Sequence, residues 1–307
     1  MLSIALGMCQ LCGCAWVDAK QRALIYRPTP GSLQDWQPLT SADELLWLPV
    51  RTSATKDRDA SLPAQGVRAV WVPQADPSAP AVLYLHGTFR NVFQNRPKIE
   101  AIHAAGFAVL ALDYRGFGDS SALLPSEDSI VEDGEAAWEE LVRRVAQPAR
   151  RALFGHSMGG AVAVELAFRH REAPPAYGAL VLESAFTSMP QLALDRYPWA
   201  VFVDLLTTQR FDSLAKIGKI DTPTWLMAGT ADRTVSSTHS RLLHSAAARS
   251  CALVMFEGGT HSRLHQEFRL AYRQVWIDIA AQMASTDTDA CGRRPGNIVN
   301  VDGVAGS

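Results

Sequence analysis

The chain has 307 residues, of which 48% are hydrophobic and 20% charged, with a formal net charge of -2 at pH 7. That length holds one large α/β domain with a substantial core, and the near-neutral charge removes the electrostatic case for a nucleic-acid partner, which favours a basic face. The interior contains no run of roughly twenty apolar residues, so no internal transmembrane helix is expected, and no fixed-period repeat or heptad pattern occurs.

The segment Met1 to Cys14 is apolar and rich in small side chains, and the chain turns polar at Asp18-Ala19-Lys20-Gln21-Arg22. Leu11-Cys12-Gly13-Cys14 resembles a bacterial lipobox, whose last cysteine receives lipid after cleavage. No Lys or Arg precedes the apolar run, which is shorter than a usual signal peptide. Two readings stand. Either lipidated Cys14 attaches the protein to a membrane, placing it in the bacterial cell envelope, or the terminus is frayed and apolar and the protein is cytoplasmic. Cys9, Cys12 and Cys14 have no nearby histidine or second cysteine pair to complete four ligands, so no metal is expected. Five cysteines, an odd number, offer no disulfide framework, with Cys251 expected in a strand and Cys291 in a loose tail.

Strands are predicted at Glu44–Val50 and Val67–Val72, joined by a polar stretch from Thr52 to Gln65 that reads as an exposed hairpin loop. Ala81–Leu85 is an apolar strand running into His86-Gly87-Thr88-Phe89-Arg90-Asn91, and Phe107–Leu112 is another, ending in Asp113-Tyr114-Arg115-Gly116. His86 is expected to tie down its loop, and Asp113 and Arg115 to form a structural hydrogen-bonding pair. Asp128 to Val145 reads as a helix, Arg151–Phe154 as a buried strand, and Gly160–Ala167 as the start of an amphipathic helix. Strands at Ala179–Glu183, Thr224–Ala228 and Ala252–Phe256 follow, the last ahead of a helix beginning near Ser262. Between Phe186 and Ile220 the pattern turns to Met, Leu, Pro, Trp and Phe with few glycines, which predicts a short helical lid. Leu192, Tyr197, Trp199, Phe202 and Leu206 are its candidates for an acyl wall, with Phe89 at the same pocket; lid-to-core packing is the competing reading for each. The small, polar and Gly-rich tail from Ser285 to Ser307 is expected to be disordered.

Gly155-His156-Ser157-Met158-Gly159 is a G-x-S-x-G pentapeptide between a predicted strand and a predicted helix. A serine on such a turn is held in a strained conformation with its hydroxyl clear of the sheet's carboxyl edge. The hydroxyl needs a base, and the base needs a carboxylate to orient it. In this setting the order is serine, acid, histidine. Asp232 follows the strand Thr224–Ala228, and His261 lies on the glycine-rich loop after Ala252–Phe256, so all three fall on the sheet edge where open α/β sheets bind ligands. His265, one helical turn beyond His261, competes as the base but reads as a solvated or supporting residue. His239 and His244 read as surface residues of the helix after Asp232. Asp221 sits at the wrong end of a strand, and Asp204 and Asp212 in the covering segment. A simple β-to-α turn with a capping serine, and Asp232 as an ordinary turn residue, are the competing structural readings. Backbone amides for a developing oxyanion are expected from Met158 and from Thr88, with Phe89 as the alternative to Thr88.

From about Ala42 to Met283 the chain resembles the α/β-hydrolase superfamily, and within it the BEM46-like and ABHD13/ABHD17-like serine hydrolases. The resemblance rests on His86-Gly87-Thr88, Asp113-Tyr114-Arg115-Gly116-Phe117-Gly118, Gly155-His156-Ser157-Met158-Gly159-Gly160, Glu183-Ser184-Ala185-Phe186, Gly229-Thr230-Ala231-Asp232 and Gly259-Thr260-His261. Many relatives carry Asn where Thr88 stands. The resemblance implies an α/β fold, with a mostly parallel eight-stranded sheet, helices on both faces and a lid over about 187–220. It places the domain at 42–284, after a lead-in at 1–41 and before the tail at 285–307. It also implies an esterase, thioesterase or related acyl hydrolase acting on a small-molecule ester or thioester without a cofactor. A serine peptidase of the prolyl-oligopeptidase type shares the motif and triad order, though no propeller domain is present, and a non-catalytic binding protein on the same fold is the remaining alternative. A dehalogenase or epoxide hydrolase would carry aspartate at position 157.

Overall fold

The computed structural model describes residues 16–51, 65–172, 176–199, 202, 204, 207–285, 291 and 297–302. Nine strands form one sheet in the order β1-β2-β4-β3-β5-β6-β7-β8-β9. They are β1 (Glu44–Pro49), β2 (Gly66–Val72), β3 (Ala81–Leu85), β4 (Ala108–Asp113), β5 (Arg151–His156), β6 (Ala179–Glu183), β7 (Thr224–Gly229), β8 (Ser250–Phe256) and β9 (Asn297–Val301). β2 runs antiparallel to β1 and β4, and every other pairing is parallel. Parallel strands covered on both faces read as unbroken apolar runs, and β3, β4, β5 and β6 are buried at every residue.

The period-2 alternation divides the core between the two faces. Leu83 and Leu85 join a cluster with Ile130, Trp138 and Leu141 of α3 (Glu127–Arg144) and Val162 and Leu166 of α4 (Met158–Arg169). Val82 and Tyr84 face the other way, toward Ile99 and Ile102 of α2 (Arg96–His103) and Tyr272, Trp276 and Ile279 of a long helix, Arg269–Ala284. α3 begins where Ser126 accepts from the Ser129 amide at 3.1 Å in a reciprocal capping box, one residue before the predicted start. Ahead of the sheet, a helix over residues 16–26, α1, docks by side-chain bonds: Arg22 Nε donates to Pro125 O at 2.7 Å, and Tyr26 OH to Gln209 Oε1 at 2.6 Å. Cys14 lies outside the described residues.

Three expectations change. The sheet has nine strands rather than eight, and the ninth comes from the segment expected to be disordered: Ala252–Phe256 of β8 pairs in parallel with Asn297–Val301. The expected absence of a disulfide is overturned as well. Cys251 on β8 is bonded to Cys291, with Cα atoms 4.6 Å apart, within the span a disulfide bridges. Docking of β9 at the sheet edge brings the tail back to β8, a closure across 40 residues that local sequence does not report. Lastly, Asp113 and Arg115 do not pair. Asp113 Oδ1 accepts from Val92 N at 2.6 Å, while Arg115 Nε donates to Asp133 Oδ1 at 2.5 Å and Nη2 to Glu132 Oε2 at 2.8 Å.

Candidate active site

The β5–α4 turn holds Ser157 at φ 55° and ψ -120°, a region L-residues rarely occupy, with its amide donating to Glu183 O at 2.9 Å. The flanking glycines are required by close approach. A Cβ on Gly155 would overlap the Gly159 carbonyl, and one on Gly159 the Leu85 carbonyl. Strain at this serine is thus fixed by backbone packing on both sides of it.

The three edge residues meet. His261 Nε2 lies 3.0 Å from Ser157 Oγ, and His261 Nδ1 lies 2.7 Å from Asp232 Oδ2. Asp232 Oδ1 accepts from the Thr234 and Val235 amides at 2.8 and 2.9 Å, which leaves Oδ2 aimed at the ring. Its carboxylate is 1% exposed. Burial pushes this carboxyl up, but the hydrogen bond and charge of His261 and the two amides outweigh it, so Asp232 is held below the usual carboxylate range. With Asp232 ionised and accepting, Nδ1 carries the proton and Nε2 presents a lone pair to the serine hydroxyl.

A cavity of about 230 Å³ opens over these groups, lined by Gly87, Thr88, Phe89, Arg90, Asn95, His156, Ser157, Thr234, His261 and Ser262. Gly87 lies against Ser157, since a Cβ on it would stand 3.1 Å from the Ser157 Cβ. This brings Thr88 to the serine's side. Phe89 adopts φ 73° and carries the Arg27 guanidinium 5.1 Å above its ring centre. Met158 is the first residue of α4, a position whose N–H has no acceptor within the helix. His86 is buried in a structural role: Nδ1 donates to Gly87 O at 2.6 Å and Nε2 lies 3.5 Å from Asp113 Oδ1.

The expected acyl wall is not found at this cavity. α5 (Met189–Arg196) and α6 (Ser213–Ile217) do form in the covering segment, but Tyr197, Trp199 and Phe202 are exposed, Leu192 packs on the core, and none of the four lines the cavity. Leu206 lies outside the described residues. Phe89 does line it. His239 and His244, expected at the surface, are buried on α7 (Ser237–Ala246). His239 Nδ1 lies 2.9 Å from Thr187 Oγ1 and Nε2 2.9 Å from Asp195 Oδ2, at a separate cavity. Asp204 and Asp212 pair with Arg210, and Asp221 is exposed. His265 is buried rather than solvated, on α8 (Leu264–Glu267), ahead of α9 (Arg269–Ala284).

Sequence reasoning missed two supports. His156, the second residue of the pentapeptide, is buried, and its Nε2 lies 2.9 Å from His261 O. Burial first, then the charges of Lys98 and His261, pushes its pKa far down, so the neutral ring donates from Nε2 and fixes the His261 backbone. Behind it Lys98 pairs with Glu183, whose other oxygen accepts from Tyr272 OH at 2.8 Å. The carbonyl of this same Glu183 holds the Ser157 amide. Neither burial has a local sequence signal. Among the described residues no group of three or more His, Cys, Asp or Glu side chains could hold a metal ion.

Residues 76–215 match a family model described as "Serine aminopeptidase, S33". Over 252 residues the chain is 35% identical to the uncharacterized protein Rv2307c of Mycobacterium tuberculosis, covering 80% of this chain and 82% of that protein. It is 30% identical over 244 residues to the lysophosphatidylserine lipase ABHD12 of Danio rerio, covering 74% of this chain and 62% of that one. Among solved structures, the esterase Pf2001 of Pyrococcus furiosus shares the fold, with a TM-score of 0.63 and 18% identity over 83% of this chain and 97% of the other. The chain belongs to the α/β-hydrolase superfamily and is a hydrolase by kind.

Proposed function

We propose that the protein is a serine hydrolase that cleaves carboxylic ester or thioester bonds through Ser157, His261 and Asp232. The observation that carries this reading is the unbroken line from Ser157 Oγ to His261 at 3.0 Å and on to Asp232 at 2.7 Å. Ser157 Oγ attacks the carbonyl carbon as His261 Nε2 takes its proton, and the buried Asp232 carboxylate stabilises the imidazolium. The Met158 amide and that of Thr88 (or Phe89) meet the developing oxyanion; removal of one such donor costs roughly 10²–10³ in turnover. His261 returns the proton to the leaving oxygen or sulfur, and water activated by the same ring then clears the acyl-enzyme.

At about 230 Å³ the cavity is smaller than the roughly 300–1,000 Å³ of drug-sized sites, which supports a small acyl group. Activity on p-nitrophenyl esters is expected to fall as the acyl chain lengthens from acetyl to palmitoyl. The peptidase reading follows from the description of the matching family. Rates of the protein and of Ser157→Ala on p-nitrophenyl esters and on Ala- or Pro-linked amides decide between them. Ester turnover lost in the variant supports the proposal, while faster amide cleavage, or unchanged ester turnover in the variant, refutes it.

We also propose attachment to the cell envelope through lipid on Cys14. The Cys251–Cys291 disulfide supports this placement, because such bonds persist in oxidising compartments. Fatty-acid labelling that persists in Cys14→Ala would refute it.

A further inference from the structure

Beside the Ser157 cavity lies a second one of about 270 Å³, whose lining includes Arg90, Asn95, Lys98, Arg263, His265 and Gln266. Arg90 and Asn95 line both, so the two cavities adjoin across the Arg90 side chain. The second is basic. Lys98 is matched by Glu183, and Glu183 is occupied further by Tyr272. The arginines are not matched in this way. No carboxylate pairs with Arg90 among the described residues. Arg263 Nε reaches Gln266 Oε1 at 3.3 Å but stands 4.0 Å from Glu267 Oε1, and the Glu267 carboxylate is already bonded to the Thr260 amide and hydroxyl at 2.9 and 2.7 Å. The buried Nδ1 of His265 has no hydrogen-bond partner among the described residues. Burial, followed by the positive charges of Lys98, Arg90 and Arg263, pushes the His265 pKa down to about 3, in keeping with a cationic surround.

We propose that this cavity is a subsite for a phosphate group carried on the alcohol portion of the ester. The inference rests on Ser157 as the nucleophile. Arg263 and His265 follow His261 in the chain and line the adjoining cavity, and His261 is the group that protonates the leaving oxygen, so the alcohol portion is assigned to this cavity. Two planar guanidinium forks, with the Gln266 amide beside them, suit an anion with more than two oxygens. A neutral ester makes no charged contact with this basic cavity, whereas a phosphorylated one does.

Binding separates this from turnover. Hexanoylglycerol, hexanoylglycerol phosphate and the hexanoyl ester of glyceric acid are titrated calorimetrically into Ser157→Ala protein at low and high salt. The phosphate ligand is expected to bind about tenfold tighter than the neutral one, with the ratio shrinking as salt rises. Arg263→Gln or Arg90→Gln, added to that background, removes most of the preference, and Arg263→Lys keeps part of it. Equal affinity for phosphate and neutral ligands, a preference that survives both glutamine variants, or tighter binding of the glycerate ester overturns the proposal. Because no hydroxyl at position 157 takes part in binding, ester turnover that persists in Ser157→Ala would fault the nucleophile assignment by a separate measurement.

Discussion

Asp232→Asn isolates the carboxylate's role, because the structure dictates what the amide must do. Oδ1 accepts two backbone amides, from Thr234 and Val235 at 2.8 and 2.9 Å, so the Asn carbonyl takes that place. Its NH₂ then occupies the position of Oδ2, 2.7 Å from His261 Nδ1. An N–H facing Nδ1 forces that nitrogen to accept, which moves the ring proton to Nε2. Nε2 can then no longer take the Ser157 proton across 3.0 Å. Loss of the correct tautomer in such triads costs about 10⁴ in turnover, roughly 5 kcal/mol at 1.36 kcal/mol per decade. The assay is kcat on p-nitrophenyl butyrate, with near-UV circular dichroism to show that the fold persists. A loss of less than about tenfold in a folded variant would refute the reasoning. The same carboxylate also links stability to acid. Its folded pKa is depressed, so its contribution is present above the unfolded value and is lost as pH falls through the folded one. Asp232→Asn removes that increment of acid sensitivity from urea-unfolding curves.

Reduction of Cys251–Cys291 reopens a loop of 40 residues, for which chain entropy gives about 4 kcal/mol. Urea unfolding with and without reductant is expected to differ by about 2–4 kcal/mol, and an unchanged midpoint with both thiols shown free would contradict the pairing. His265 binds fewer protons folded than unfolded, because burial lowers its pKa from 6.5 to about 3. The fold therefore loses stability as pH drops through that window. His265→Gln should flatten the stability profile between pH 6 and 4 by up to one proton, and an unaltered slope counts against it. Lys98→Met strands the Glu183 carboxylate in the core beside the serine turn. A destabilisation of about 3–5 kcal/mol is expected, measured by urea titration, and a loss under 1 kcal/mol would show that the pair is dispensable.

Much of the fold was legible because its central strands are buried on both faces. Val82-Leu83-Tyr84 and Ala152-Leu153-Phe154 cannot serve as loops or amphipathic helices at that length and composition. The proposed triad was legible for a related reason: Ser157, Asp232 and His261 each follow such a run, so strand ends place them on one edge. β9 was hidden because an edge strand with exposed residues carries little apolar signal, and its partner lies 45 residues upstream in register, Ala252 opposite Asn297. The lid aromatics were misjudged because composition reports that Tyr197, Trp199 and Phe202 are apolar but not which way they face. Lys98 shows the same limit from the other side. A lysine reads as a surface residue until the strand bearing Glu183 is packed against it.

The most direct test is labelling with a fluorophosphonate and peptide mapping by mass spectrometry. The account predicts one adduct, on Ser157, formed by the parent protein, absent from Ser157→Ala and slowed by orders of magnitude in His261→Ala. An adduct on another residue, or equal labelling of Ser157 without the imidazole, would contradict it.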